Sequence, residues 1–166
     1  AAELCFPQSE TRAAEIAEEL CAVNRQRQLE ENRIIGEIRE RITADPSIGE
    51  DRVIVLADDS WHHGVIGIVA SRVTEKYSRP SVLISFEGGT GRSVRGLNLV
   101  DALGCCSDLL LKYGGHELAA GLSIEREKLP EFRKRINEYA AEHLAADDLV
   151  TDIDIDTELF PSEATL

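Results

Sequence analysis

Two short apolar runs, Arg52–Ala57 and Ser81–Phe86, bracket the amphipathic stretch His63–Tyr77, and this arrangement constrains the chain more than any other feature. Runs of that length rich in Val and Ile suit buried strands. Ile66, Val69, Ala70 and Val73 fall on one face of the intervening stretch, as a helix packed on a sheet requires, and Arg79-Pro80 ends it. Strand–helix–strand alternation implies an α/β layered domain. Downstream, Gly88-Gly89-Thr90-Gly91 reads as a flexible turn into a third strand, Arg92–Gly96. Leu99–Tyr113 reads as a helix holding Cys105 and Cys106, Gly114-Gly115-His116 as a turn, and Ala119–Glu125 as a strand. Lys128–Leu144 is a closing helix with Leu129, Phe132, Ile136 and Tyr139 facing inward.

Ahead of this unit, Ser9 and Thr11 precede good helix formers from about Arg12 to Thr43. Ile16, Leu20, Val23, Ile34, Ile35, Ile38 and Ile42 keep a helical period, while NRQRQLEEN between them is almost wholly polar. A long helix with a wet middle suits a connector between two bodies. Ala44-Asp45-Pro46, with Gly49 just beyond, stops it. At the other end Val150–Leu159 alternates apolar and acidic residues, like the first strand of a further unit. The chain lacks methionine even at residue 1, and it stops within what looks like the start of that further unit. These features predict a piece of a larger protein.

The formal charge of −13 excludes a broad electrostatic nucleic-acid face. Its distribution is uneven: residues 1–50 carry 6 basic and 11 acidic side chains, residues 126–166 carry 5 and 11, and residues 51–125 carry 7 and 9. The ends are acidic and the centre is nearly neutral, which leaves room for a local anion site in the centre.

Three clusters there bear on chemistry. Trp61-His62-His63-Gly64 stands between a strand and a helix, where backbone N–H groups bind anions and His62 could add a donor. Equally, Trp61 fills the core and the histidines cap the turn. In Gly89-Thr90-Gly91-Arg92-Ser93-Val94-Arg95-Gly96 the glycines let a backbone approach closely. There Arg92 and Arg95 carry forked donors suited to phosphate, and Ser93 adds a hydroxyl. The alternative is a glycine hairpin with solvated arginines. Gly114-Gly115-His116-Glu117-Leu118-Ala119-Ala120-Gly121 surrounds a histidine with little side-chain bulk, room for a substrate to lie on the backbone. Close packing would explain the glycines but not the imidazole.

No cluster gathers the convergent carboxylates and histidines of a metal-dependent hydrolase. Asp58-Asp59 suits a capping turn, and neither a Walker loop nor a G-x-S-x-G elbow occurs. Cys5, Cys21, Cys105 and Cys106 lack zinc or disulfide spacing, so a reducing, cytoplasmic setting is expected. No signal-like start and no membrane-length apolar run is present.

In this order, WHHGVIGIVASRVTEKYSRPSVLI, GRS and GGHELAAG resemble the DHHA1 domain of the DHH phosphoesterases, over roughly Arg52–Leu144. The likeness is strongest to the branch of that family specific for single-stranded DNA. The resemblance implies a layered α/β domain at 51–146, with a central mixed sheet flanked by helices, behind a connector helix at 11–45. It implies that residues 1–10 end a DHH catalytic domain and that 147–166 begin an oligonucleotide-binding domain. The implied parent degrades single-stranded DNA from 5′ to 3′ in recombination and repair, using Mn²⁺ or Mg²⁺ held by Asp and His of its DHH domain. No metal ligand or catalytic residue is therefore expected here, and this stretch alone is expected not to hydrolyse. By position, Arg92, Ser93, Gly114, Gly115 and His116 would hold substrate phosphate, with His62 at the family's Trp-His position. His63 falls on a variable position, and Arg95 falls outside the family string.

The expected partners are single-stranded DNA, bound weakly, and the DHH domain of the same chain, with no membrane. Apolar positions on the connector helix are available to a second copy. Two other readings stay open: a phosphodiesterase of oligoribonucleotides or cyclic dinucleotides, which shares the Gly-Gly-His string, and a non-catalytic RNA- or protein-binding module.

Overall fold

The computed structural model describes residues 2–5, 9–85, 87–145 and 147–150, together with Thr157. A short turn, α1 (Ala2–Cys5), precedes the 35-residue α2 (Glu10–Ala44), and a second short turn, α3 (Ser47–Glu50), follows it. The layered unit is β1 (Ile54–Ala57), α4 (His63–Tyr77), β2 (Ser81–Ile84), β3 (Gly89–Arg92), α5 (Leu99–Gly104), β4 (Leu110–His116), β5 (Ala119–Ile124) and α6 (Leu129–His143). The five strands form one sheet in the order β1-β2-β3-β5-β4, parallel between β1 and β2 and antiparallel elsewhere. This is the mixed sheet flanked by helices that the resemblance implies. The stretch expected to begin another unit lies almost wholly outside the described residues.

Strand alternation sends side chains to two cores. Val53, Val55, Val82, Ile84, Leu122 and Ile124 pack with α5 and α6. Ile54, Leu56 and Leu83 point the other way, onto Ile66, Val69 and Val73 of α4 and Ile34 and Ile38 of α2. Asn137 of α6 clips the open edge of β1: its side chain accepts from Val53 N at 2.8 Å and donates to Val53 O at 3.0 Å.

Helix α2 starts where Ser9 Oγ accepts from Arg12 N. Its polar middle is held by spaced ion pairs, Arg27–Glu31, Arg33–Glu30 and Arg33–Glu37. Glu31 is 1% exposed and clamps α2 to α4. Arg27 Nη1 donates to its Oε2 at 2.7 Å, and Arg72 Nε lies 2.5 Å from its Oε1, close in charge though not aligned as a hydrogen bond. Beyond that clamp Val23 and Leu29 are exposed.

Two sequence expectations need correction. The helix expected over Leu99–Tyr113 ends at Gly104, and Leu110–His116 is an edge strand, so Gly114-Gly115-His116 lies in a strand and the turn falls at Glu117-Leu118. Pairing with β5 overrides the helical pattern. The third strand is Gly89–Arg92, not Arg92–Gly96. Its glycines are packing residues: a Cβ on Gly91 would lie 2.8 Å from Leu99 Cδ2, and one on Gly89 would lie 3.0 Å from Leu122 Cγ.

Asp58, at the end of β1, accepts from Ser60 N at 2.9 Å and Ser60 Oγ at 2.7 Å, and pairs with Arg41 of α2. The Ser60 bonds foremost, with Arg41 in support, hold its carboxyl at about 2, below the ordinary 3.8. A depressed carboxylate stabilises the fold above the unfolded value and loses that contribution as pH falls through the folded one. Acid titration monitored by denaturant unfolding should therefore lose about 2 kcal/mol between roughly pH 4 and pH 2. Asp58→Asn should abolish that step.

Candidate functional site

Helix α4 covers one face of the sheet over β2 and reaches β3, leaving the same face of β5 and β4 open beside it. Register decides which residues stand there. Arg92 pairs with Ala119, and Ala119 with His116; Thr90 pairs with Gly121, and Gly121 with Gly114. Directly paired residues share a face, so Arg92, Ala119 and His116 form one rung, and Thr90, Gly121 and Gly114 the next. From Arg92 to His116 is two strand spacings, about 10 Å.

Between these rungs and α4 lies a groove of about 350 Å³, walled by His63, Gly64, Gly67, Thr90, Arg92 and Ala119 and floored by backbone at Gly115 and Gly121. The three sequence clusters meet here. A Cβ at Gly114 would touch nothing within 4 Å, and at Gly121 only Gly89 O, 3.8 Å away. Packing therefore does not demand glycine at either position; Gly121 lines this groove and Gly114 an adjoining cavity. Gly67, inside α4, has similar freedom: a Cβ would sit 3.4 Å from Arg92 Nη2. Gly115 differs, because with φ +153° a Cβ there would lie 2.5 Å from Ala120 Cα.

Arg92 is held in place before any ligand arrives. Its Nε donates to Ser71 Oγ at 3.1 Å, and Nη1 donates to Thr90 Oγ1 at 3.0 Å and Gly91 O at 2.9 Å. Nη2 has no hydrogen-bond acceptor among the described residues. A fixed guanidinium with a spare donor beside a backbone floor suits an anionic, extended ligand. His116 is exposed at the rim of the last rung, not sealed inside.

The DHHA1 domain family matches residues 50–142. This chain belongs to the DHHA1 domain family. The single-stranded-DNA-specific exonuclease RecJ of Bacillus subtilis is 32% identical over 163 residues, 94% of this chain and 20% of that protein. RecJ of Thermus thermophilus is 38% identical over 141 residues, 85% of this chain and 20% of its own length. The crystal structure of Thermus thermophilus RecJ with Mg²⁺ superposes with a TM-score of 0.77 at 38% identity, covering 86% of this chain and 22% of that one. A manganese-bound exonuclease RecJ gives 0.75 at 36% identity, covering 86% and 36%. The chain thus spans about a fifth of the length of the curated relatives it matches.

Within this DHHA1 domain the expected residues separate. Arg92 and Gly115 line the groove, Gly114 lines an adjoining cavity, and His116 stands exposed beside them, paired with Ala119. His62 is instead the N-cap of α4: its Nδ1 accepts from Gly64 N at 3.0 Å, so it is no donor there, and it occupies an N–H that the helix start would offer an anion. Trp61 is buried, its Nε1 donating to Glu37 at 2.8 Å. Ser93 Oγ donates to Leu97 O at 2.8 Å and closes a turn. Arg95 is exposed in that turn. The histidine that faces the groove is His63, whose Nδ1 lies 3.2 Å from Gly88 O. Only the 25-residue approach of the Gly88 loop to α4 reveals it.

The groove offers guanidinium, imidazole, hydroxyl and backbone groups, and among the described residues no three His, Cys, Asp or Glu cluster to hold an ion.

The two neighbouring glycines should respond oppositely to alanine. Gly115→Ala should cost more than about 2 kcal/mol in denaturant unfolding, because the β4–β5 pair must part. Gly114→Ala should change stability by less than about 0.5 kcal/mol.

Proposed function

We propose that this domain holds the substrate strand in a RecJ-like exonuclease acting on single-stranded DNA from its 5′ end. One observation carries the reading: a pinned guanidinium, a floor stripped of side chains and an exposed imidazole share one open face of the sheet. Arg92 donates from Nη2 to a phosphate oxygen, while Gly114 and Gly121 let the sugar–phosphate chain lie against the backbone. His116 reaches the same strand from the rim. In the parent, a divalent metal held by a DHH domain outside this stretch would activate the water that attacks the phosphodiester. Here the residues bind and orient, and the groove's alignment decides which phosphodiester reaches the neighbouring active centre.

With so few phosphate contacts and no aromatic stacking platform, the 166-residue chain should bind a 5′-phosphorylated oligo(dT) weakly. In fluorescence titration the affinity should be micromolar or poorer, with a salt slope of about −1.4 for two phosphate contacts. Arg92→Ala should weaken it about tenfold, and His116→Ala by a smaller factor. Unchanged affinity in both variants would overturn the proposal, and sub-micromolar binding by the wild type would contradict a site of few contacts.

A further inference from the structure

We infer that the groove runs on past its glycine floor into a second anion subsite, walled by His63, Lys112 and Ser123, that takes a further phosphodiester of the same strand. The inference rests on the proposed function and extends it along the sheet. A second cavity, about 440 Å³, shares His63, Gly89 and Gly121 with the first and reaches Lys112, Gly114 and Ser123. The two are therefore halves of one trough along β4.

Register places the far wall. Lys112 pairs with Ser123, Gly114 with Gly121, and His116 with Ala119, and the irregularity in this pairing lies before Lys112. Alternate rungs share a face, so Lys112 projects on the same side as His116, four residues and about 13 Å away along a strand. That distance accommodates more than one nucleotide of an extended strand. Gly114, midway, has no side chain to interrupt the path.

Charge points the same way. In a chain of net charge −13, Arg92 at one end of the trough and Lys112 at the other have no carboxylate partner among the described residues. His63 stands where the two cavities join, its ring packed so closely on Gly88 that a Cβ there would lie 2.7 Å from its Cε1. An ordinary side chain at 88 would drive the imidazole from that position. Glu87, which is exposed, lines the same cavity as Lys112. Its carboxylate repels a phosphate there, so it limits affinity.

Amide-shift titrations of the 166-residue chain with thymidine 5′-monophosphate and with a 5′-phosphorylated dT tetranucleotide test the subsite. Lys112→Ala should weaken the tetranucleotide about three- to tenfold and leave the mononucleotide unchanged, with Lys112→Gln behaving alike. Glu87→Gln should tighten the tetranucleotide by a similar factor, and Arg92→Ala should weaken both ligands. Unchanged tetranucleotide affinity in the Lys112 variants, or an equal loss for both ligands, would overturn the second subsite and leave the first standing. An Arg92→Ala variant that binds both ligands like wild type, or a wild-type chain without saturable shifts, would overturn the first site and the second with it.

Discussion

A slip of one residue between β4 and β5 would turn His116, Gly114 and Lys112 to the opposite face of the sheet and replace them with Gly115, Tyr113 and Leu111. The groove depends on that register more than on any single side chain. Gly115 helps pin it, since only a residue without Cβ lets the strand pass so near Ala119 and Ala120. The short Glu117-Leu118 connection leaves little slack for another pairing. Leu122 and Ile124, buried on the α5–α6 side, add the hydrophobic cost of any slip.

Where the helices sit determines which part of the sheet stays uncovered. Helix α2 docks on α4 through the Glu31 clamp and through Trp61, Glu37 and Arg41, whose guanidinium lies 5.2 Å from the indole centroid. Breaking a buried charge pair is costly because it leaves the remaining charge unpaired. Helix α2 is thereby fixed to the covered half of the domain, and β5 and β4 stay open.

Much of the fold was legible in particular residues. The runs at Ile54–Ala57 and Ser81–Ile84, the apolar face of α4 and the stop at Asp45-Pro46 follow from burial periodicity and proline geometry, which are local. Leu110–Tyr113 was misread because an apolar run beside a short helix looks helical until its partner strand is known. The glycines of β3 were misread for a related reason: their need for close approach to Leu99 and Leu122 is a property of the packed core.

By itself the amino-acid order determined the layered α/β class, the long N-terminal helix and the three clusters rich in glycine, histidine and arginine, because those signals lie within one turn of helix or one strand. Tertiary structure alone decided that the clusters converge on one trough. It also assigned the capping role to His62 and the groove to His63, and turned Ser93 inward to a turn carbonyl. Those assignments rest on strand register and on the approach of the Gly88 loop to α4, contacts between residues distant along the chain that no local pattern encodes.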